Sequence, residues 1–407
     1  MIEIAQRTLD LKAGEDAPPR PGLRAAALFA GIGGIELGLH RAGHTTQLFC
    51  EVDPTAAAVL RDRFPSSDLV SDVREVTSVP RDTEIVTAGF PCQDLSQAGT
   101  TRGIKGARSG LVGEVFRLLK HRRVPWLLIE NVPFMLRLAR GEAMAVVIAA
   151  LDALEYRWAY RIVDSRAFGL PHRRRRVYLV ASAEEDPRQV LYADDFGPAV
   201  EPGKDAWREA ACGFYWTEGT RGLGWAHDAV PTLKGGSAVG IPSAPAIILP
   251  YGDPGSRIGM PDLRDAERLQ GFDAGWTEAA ESVGRPSLRW RLVGNAVTVD
   301  VAAWIGRRLR DPGEYDAKGD TPLARAQPWP TAAYNVGDGP KVALGVTEWP
   351  VRDRRTPLVD FLEHPLRPLS ARATRGFYSR FSSSRLAKPE GFLEALQAHL
   401  KAMEQGA

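Results

Sequence analysis

Cysteine is scarce in this chain. Cys50, Cys92 and Cys212 are its only cysteines among 407 residues, and they lie far apart. No pair shows the CxxC or Cys/His spacing of a zinc site, so we expect neither a metal centre nor a disulfide framework. A reducing cytosol is the default compartment for such a protein.

Long hydrophobic runs and an excess of one charge are also missing. No apolar run approaches the ~20 residues of a membrane span, and residues 1–22 lack the apolar segment of a signal peptide. With 52 basic and 50 acidic residues, the net charge is +2. This balance neither requires nor excludes a nucleic-acid partner. We therefore expect a soluble cytoplasmic protein with no membrane association, built around one large core or two ordinary ones.

The most informative stretch surrounds Cys92. Residues 84–88 form a short β-branched, apolar run that is typical of a buried strand, and Gly89 and Pro91 end it. Cys92 then lies in a loop at the carboxyl end of that strand, where α/β sheets collect ligands. A buried structural thiol is the alternative, because free cysteine behaves as a small hydrophobe. An accessible thiolate at this position is a candidate nucleophile.

Other predicted strands also end in residues suited to binding. Residues 24–30 form a strand that runs into the glycine turn 31–34 and then into a helical pattern, which brings backbone amides towards a cofactor. Glu51, Asp72 and Glu130 follow further strands. Each carboxylate alone is compatible with a helix cap or a solvated loop. Together, the strand ends that carry the glycine turn, Glu51 and Asp72 predict an adenosine-shaped pocket, whereas Glu130 is a candidate acid next to the expected place of Cys92.

An arginine run occupies residues 173–176. Such a run is usually a solvated face or a phosphate-binding patch. Strand alternation would place Arg174, Arg176 and Tyr178 on one face, which favours a specific site. Residues 97–113 are rich in Gly, Thr, Ser and Arg, and are either a flexible connection or a lid beside Cys92.

Taken together, these segments resemble the DNA (cytosine-5) methyltransferase family over most of residues 24–310. Eight blocks occur in the family's order, and they are Phe29-Ala30-Gly31-Ile32-Gly33-Gly34, Glu51-Val52-Asp53-Pro54, Ser71-Asp72-Val73, Gly89-Phe90-Pro91-Cys92-Gln93, Glu130-Asn131-Val132, Arg173-Arg174-Arg175-Arg176, residues 264–272 and Val293-Gly294-Asn295-Ala296-Val297. The resemblance implies an α/β fold, namely the Rossmann-like doubly wound sheet of S-adenosylmethionine-dependent methyltransferases. It also implies a small target-recognition domain, and the chain adds a C-terminal extension.

The resemblance further implies roles for individual residues. Cys92 would add to carbon-6 of a flipped-out cytosine, Glu130 would act at ring N3, and Arg174 and Arg176 would contact the base, the phosphates or the Cys92 loop. S-adenosyl-L-methionine would be the cofactor, S-adenosyl-L-homocysteine its product, and no metal would be needed. The implied cofactor-binding residues are Phe29, Gly31, Gly33, Glu51, Asp72, Pro91, Asn295 and Val297.

The resemblance also divides the chain into regions. The predicted regions are a flexible N-terminus (1–22), a catalytic domain (23–182), a target-recognition region (183–262, variable over about 183–229), a returning segment (263–310) and an extension (311–407). The variable part is acidic in its first half and aromatic in its second, where a small tryptophan-based core is as plausible as a DNA surface. The basic stretch 367–388 either binds DNA or is a helical appendage packed on the catalytic domain. The candidate DNA contacts are Gln93, Ser96, Arg108, Arg221, Arg372, Arg375 and Arg380.

Two positions depart from the family pattern. His172 stands where glutamine commonly opens the arginine block, and Gly106-Ala107 precede Arg108 where an acidic residue is common. The leading interpretation is a monomeric, sequence-specific DNA methyltransferase of a restriction-modification or other phage-defence system. Its partners would be double-stranded DNA and other proteins of the operon. The alternatives are an RNA (tRNA) cytosine-5 methyltransferase and a non-catalytic cofactor-binding DNA module.

Overall fold

The computed structural model describes residues 20–90, 110–197, 207–220, 222–235, 244–324, 328–337 and 339–406. Its strands are β1 (Arg24–Leu28), β2 (Thr45–Cys50), β3 (Asp68–Val70), β4 (Ile85–Ala88), β5 (Trp126–Asn131), β6 (Arg157–Asp164), β7 (His172–Arg173), β8 (Arg175–Ser182), β9 (Cys212–Phe214), β10 (Ala226–His227), β11 (Val230–Pro231), β12 (Ala246–Ile248), β13 (Ile258–Met260), β14 (Thr321–Pro322), β15 (Ala332–Asn335), β16 (Val342–Ala343) and β17 (Arg367–Pro368). Its α-helices are α1 (Gly34–Arg41), α2 (Pro54–Arg63), α3 (Leu111–His121), α4 (Glu142–Ala153), α5 (Arg188–Leu191), α6 (Leu263–Arg268), α7 (Leu288–Asn295), α8 (Val299–Arg310), α9 (Leu358–Phe361), α10 (Ala371–Ser382) and α11 (Phe392–Gln405).

A large mixed sheet forms the centre of the fold, in the order β3-β2-β1-β4-β5-β8-β6-β15-β16-β14. Strands β1 to β5 pair in parallel, whereas β8 and β6 run antiparallel to their neighbours. The chain leaves β1 towards β2 on one side and later returns to β4 on the other. This reversal is a topological switch point, where open α/β sheets bind ligands. The predicted doubly wound α/β sheet is confirmed.

Helices cover both faces of this sheet, so its strands are buried on both sides. On one face, α3 and α4 contribute Val115, Leu118 and Val147 to the largest apolar cluster. On the other face, α1 and α8 contribute residues such as Leu39 and Ile305. Because helices cover both faces, the strand ends form the accessible edge of the central sheet.

A second, smaller sheet has the order β10-β9-β12-β13-β17 and is antiparallel throughout. Its core is rich in aromatic rings, and α10 and α11 pack against it. Phe377 and Phe381 of α10 stack on each other with ring centroids 5.5 Å apart and planes inclined by 5°. Helices α10 and α11 therefore belong to the small domain, although they lie at the end of the sequence.

The C-terminal extension does not behave as a single unit. Pro and Gly punctuate residues 311–340, a pattern typical of a linker or an extended wrap, but β15 pairs antiparallel with β6 and widens the central sheet. Ala332 and Ala333 are fully buried there. The strand is only four residues long and is flanked by Pro and Gly, so alternation is too short to reveal it in the sequence. Across the described residues, no helix has the length and apolarity to cross a membrane.

Candidate active site and cofactor pocket

A pocket of about 310 Å³ opens at the switch point, between the carboxyl ends of β1, β2, β3 and β4. Predicted site residues on its wall are Phe29, Gly31, Glu51, Asp72, Glu130, Asn295 and Val297. Gly33 is not on the wall, because its α-carbon faces the Phe64 ring, and Gly34 lines the pocket instead. Six residues of the predicted site lie outside the described residues, and they are Pro91, Cys92, Gln93, Ser96, Arg108 and Arg221.

Glu51 lines the pocket and is held in place by two backbone hydrogen bonds. Its Oε2 accepts a hydrogen bond from the Gly31 amide at 2.7 Å, and its Oε1 accepts one from the Asp53 amide at 2.8 Å. Burial raises the pKa of the Glu51 carboxyl, and the bonds from Asp53 and Gly31 oppose that effect. Val52, the next residue, is 72% exposed on the rim, an unusual position for an apolar side chain. The sequence analysis did not single out Val52. An exposed apolar side chain beside a carboxylate suits the aromatic ring of a bound ligand.

The turn after β1 brings backbone close to the pocket. Phe29 has φ 55° and Gly31 has φ 57°, both in the left-handed region that non-glycine residues seldom occupy. A side chain on Gly34 would bring its Cβ to within 2.5 Å of the Val297 carbonyl oxygen. Glycine at position 34 therefore lets α1 approach the returning segment, which explains how Val297 reaches the pocket.

Asp72 is already engaged by a neighbouring cation. Arg74 donates from Nε to the Asp72 Oδ1 at 2.9 Å, and this hydrogen bond lowers the pKa of the carboxyl to about 2. Arg74 also lines the pocket, which sequence reasoning missed. A group that hydrogen-bonds to Asp72 would share this carboxylate with Arg74.

Glu130 ends β5 on the pocket wall beside the arginine block. Its Oε1 lies 3.1 Å from Nε of Arg176. Burial raises the pKa of the Glu130 carboxyl, while the charges of Arg176 and Arg174 lower it, and burial is the larger effect. The carboxyl is therefore held closer to its protonated form than an exposed glutamate would be.

Arg174 has a different set of partners from Arg176. It is buried and donates to the backbone carbonyls of Gly294 and Ala296, so it ties the arginine block to the segment that carries Asn295 and Val297. Tyr178 is also buried. The structure thus brings Arg176 to Glu130 and turns Arg174 towards the returning chain.

Asn131 connects Glu130 to the segment before Cys92. The Asn131 Nδ2 donates to the Phe90 carbonyl at 3.0 Å, and both residues are buried. This bond fixes the end of β5 relative to the last described residue before Pro91. Glu130 and Phe90 therefore lie at one edge that this hydrogen bond anchors.

The other two cysteines are poor nucleophiles. Cys50 and Cys212 are both buried, and burial raises the pKa of each thiol to about 12. Nearby acidic groups, Glu51 first, add to the shift at Cys50. A thiol with such a pKa is almost entirely protonated near neutral pH and reacts slowly.

A buried acid that sequence reasoning missed lines the same pocket. Glu36 on α1 is 1% exposed, and its Oε1 accepts a 2.6 Å hydrogen bond from the Thr87 hydroxyl. Its Oε2 has no hydrogen-bond partner among the described residues. Burial raises the pKa of Glu36 to about 7, despite the bond from Thr87.

His172 explains one departure from the family pattern. It is fully buried, its Nε2 accepts from the Leu233 amide at 3.1 Å, and its Nδ1 lies 3.0 Å from the Leu269 carbonyl. Since Nε2 accepts, Nδ1 carries the proton and donates. One donor and one acceptor are also what a glutamine amide offers. Histidine therefore joins the arginine block to the 264–272 block in place of glutamine.

Several carboxylates in the acidic half of the variable region form ion pairs with arginines elsewhere in the protein. Asp194 forms an ion pair with Arg308, Asp195 with the buried Arg161 at 2.8 Å, and Glu185 with Arg20. These ion pairs therefore connect residues 185–195 to the start of the described chain, to β6 and to α8. The aromatic half supplies the small-domain core, since Trp207 and Phe214 are buried in it and Trp225 packs against it.

The three basic residues proposed on α10 have different surroundings. Arg375 forms an ion pair with Glu404, and Arg380 donates to the carbonyls of Trp216 at 3.0 Å and Glu218 at 2.9 Å. Arg372 is exposed, with no ionic or hydrogen-bonding partner for its side chain among the described residues. Arg380 thus braces residues 215–220 of the β9–β10 hairpin, and α10 packs on the small domain rather than on the predicted catalytic domain, where the appendage interpretation put it.

The fold and the pocket define the class of protein. Residues 23–202 match the model of the C-5 cytosine-specific DNA methylase family. The chain belongs to this family and is a DNA (cytosine-5) methyltransferase.

Individual relatives support this assignment. The Type II methyltransferase M2.BsuMI of Bacillus subtilis (strain 168) is 49% identical over 367 residues, which cover 88% of this chain and 93% of that protein. The Type II methyltransferase M.MspI of Moraxella sp is 31% identical over 183 residues, or 43% of each chain. Among solved structures, the S. pombe Dnmt2 methyltransferase shares the fold, with a TM-score of 0.51 and 18% identity over 70% of this chain and 98% of that chain.

Proposed function

We propose that this enzyme methylates carbon-5 of a cytosine in a specific sequence of double-stranded DNA, with S-adenosyl-L-methionine as methyl donor. The observation that carries the proposal is a single pocket that holds both Glu130 and Glu51 on its wall. The Glu130 carboxyl suits a nucleobase, and the Glu51 carboxylate suits a ribose. Their common cavity supports methyl transfer between two nucleoside-shaped ligands.

The pocket residues fit the cofactor. The fixed carboxylate of Glu51 suits ribose hydroxyls, exposed Val52 suits one face of an adenine, and Asp72 suits an exocyclic amine. The backbone turn of Phe29 and Gly31 would face the methionine end. When bound, S-adenosyl-L-methionine supplies an electrophilic methyl group, and S-adenosyl-L-homocysteine would leave.

Glu130 acts as the acid in this proposal. Carbon-5 of cytosine is a weak nucleophile until a group adds at carbon-6. A carboxyl whose pKa is raised by burial can donate a hydrogen bond or a proton to ring N3 and ease that addition. Arg176 would keep the Glu130 side chain aimed at the base, while Arg174 would hold the Asn295 segment in place.

Cys92 acts as the nucleophile that adds to carbon-6. This role rests on the resemblance and on the chemistry of the remaining thiols, because Cys50 and Cys212 are buried with strongly raised pKa values. The target base must leave the helix to reach the pocket, and the 93–110 segment, with Gln93, Ser96 and Arg108, would close over it.

Transfer of a labelled methyl group tests the proposal. The wild-type enzyme should label duplex DNA, bisulfite sequencing should locate the modified cytosine, and Cys92→Ser should abolish labelling while cofactor binding persists. Labelling of tRNA but not of DNA would favour the RNA alternative. Cofactor binding without transfer to either substrate would favour the non-catalytic module.

DNA binding by the small domain is a further part of the proposal. We assign the most direct phosphate contact on α10 to Arg372, because Arg375 and Arg380 already have partners. Arg372→Ala should reduce the salt dependence of DNA binding by about one unit of slope. Arg221, which lies outside the described residues, would be a further DNA contact. We place this activity in the bacterial cytoplasm, in a monomeric enzyme of a restriction-modification or related phage-defence operon.

A further inference from the structure

A short segment that directly follows Glu130 and Asn131 has features that the pocket does not use. Residues 133–141 leave the carboxyl end of β5 as two 3₁₀ turns, Pro133–Leu136 and Leu138–Gly141, before α4 begins. They therefore lie at the edge of the sheet where Glu130 lines the pocket. Residues 131–141 include two arginines and no acidic residue.

Three large side chains of this segment are exposed to solvent. Phe134 is 60% exposed, although most large apolar side chains of the chain are buried. Arg137 and Arg140 are also exposed, and neither guanidinium has a hydrogen bond or an ion pair with a described residue. We call Phe134, Arg137 and Arg140 the ridge. Most arginines nearby behave differently, since Arg176 and Arg175 are paired with Glu130 and Glu348.

The backbone that carries the ridge is strained and braced. Ala139 (φ 49°) and Arg140 (φ 58°) are left-handed in succession, and Gly141 follows at φ 91°. Such conformations persist when the surroundings over-determine them, and they cluster at functional sites. Trp329 provides the surroundings here, because its Nε1 donates to the Gly141 carbonyl at 3.0 Å and its ring packs edge-on against Trp158 and Tyr160.

We infer that the ridge is a contact surface for the sugar-phosphate backbone of the DNA duplex beside the flipped base. This inference rests on the proposed function. Two cations 3 residues apart, without a partner among the described residues and on a carboxylate-free segment, match a polyanion. The rigid turn fixes the backbone beneath them, so binding has to order only the two side chains. The exposed ring of Phe134, which follows Glu130 closely in the chain, supplies an apolar face for a deoxyribose or an unstacked base.

The experiment compares the double variant R137Q/R140Q with a control, Arg81→Gln. Arg81 is exposed and has no side-chain partner among the described residues, but it lies before β4 at the opposite edge of the sheet. DNA affinity is measured across a salt series by fluorescence anisotropy, with methyl transfer and cofactor binding followed in parallel. The slope of log affinity against log salt should fall by ~0.9 for each lost phosphate contact, so by ~1.8 for the double variant, and not at all for the control.

Each outcome has a fixed meaning. A reduced slope and a raised KM for DNA, with cofactor affinity unchanged, support the ridge. A slope equal to that of the wild type, in an enzyme that still methylates DNA, overturns it. A wild type that fails to methylate any duplex would instead contradict the proposed function. A second variant, Phe134→Ala, should raise KM for DNA without changing the salt slope, since it removes an uncharged contact, and an unchanged KM would remove Phe134 from the ridge.

Discussion

Replacement of Glu36 by glutamine should change the pH dependence of stability. The buried carboxyl has a pKa of about 7 in the folded protein, against 4.5 in the unfolded chain. Between these values the folded state keeps a proton that the unfolded state has lost, so the free energy of unfolding falls as pH rises. Each pH unit of that window costs about 1.4 kcal/mol, which gives roughly 3 kcal/mol in total.

Glutamine keeps the oxygen that accepts from Thr87 and carries no titratable proton. In urea denaturation, Glu36→Gln should match the wild type near pH 4.5 and exceed it by roughly 3 kcal/mol above pH 7. Glu209→Gln, which removes an exposed carboxylate with no partner among the described residues, is the control and should run parallel to the wild type. Parallel curves for Glu36→Gln and the wild type would refute the reasoning, because they would show that Glu36 does not titrate differently on folding.

Three other variants test other parts of the structure. Glu51→Gln should weaken cofactor binding by about 10- to 100-fold in calorimetry, because charged hydrogen bonds contribute ~1.5–3 kcal/mol, while exposed Glu75→Gln should bind as the wild type does. His172→Leu should cost about 2–5 kcal/mol of unfolding free energy, because it leaves two buried backbone groups unpaired, and His172→Gln should restore most of it; equal losses would show that the two hydrogen bonds are unimportant. Arg380→Ala should speed hydrogen exchange at residues 215–220, whereas exchange unchanged from the wild type would mean that α10 does not brace the hairpin.

The catalytic half of the fold could be predicted because each signal was local. Residues 24–30, 84–88 and 125–129 are short apolar runs followed by Gly31, Gly89 and Glu130, and β1, β4 and β5 lie within them or within two residues of their ends. The residues that follow parallel strands converge because those strands end at one edge of the sheet. Glu51 and Asp72, which follow β2 and β3, therefore reach one pocket, as the strand ends indicated.

The remaining features depend on contacts between residues far apart in sequence. The two carbonyls that Arg380 binds are 162 and 164 residues away, and nothing near Arg380 distinguishes it from Arg372. Glu36 resembles an ordinary polar helix residue until α1 is packed on the sheet beside Thr87. Gly33 and Gly34 are adjacent glycines that only the fold separates, through the positive φ of Gly33 and the different groups that their α-carbons face. Such distinctions require the tertiary structure.

Covalent trapping of Cys92 tests the central claim most directly. Duplex DNA with 5-fluorocytosine at the target position blocks release of the enzyme, because fluorine cannot leave carbon-5 as a proton does. With S-adenosyl-L-methionine present, we expect a denaturation-resistant complex whose peptide mass maps the bond to Cys92. The absence of a complex at the cytosine that the enzyme methylates, or a bond to Cys50 or Cys212, would contradict the account.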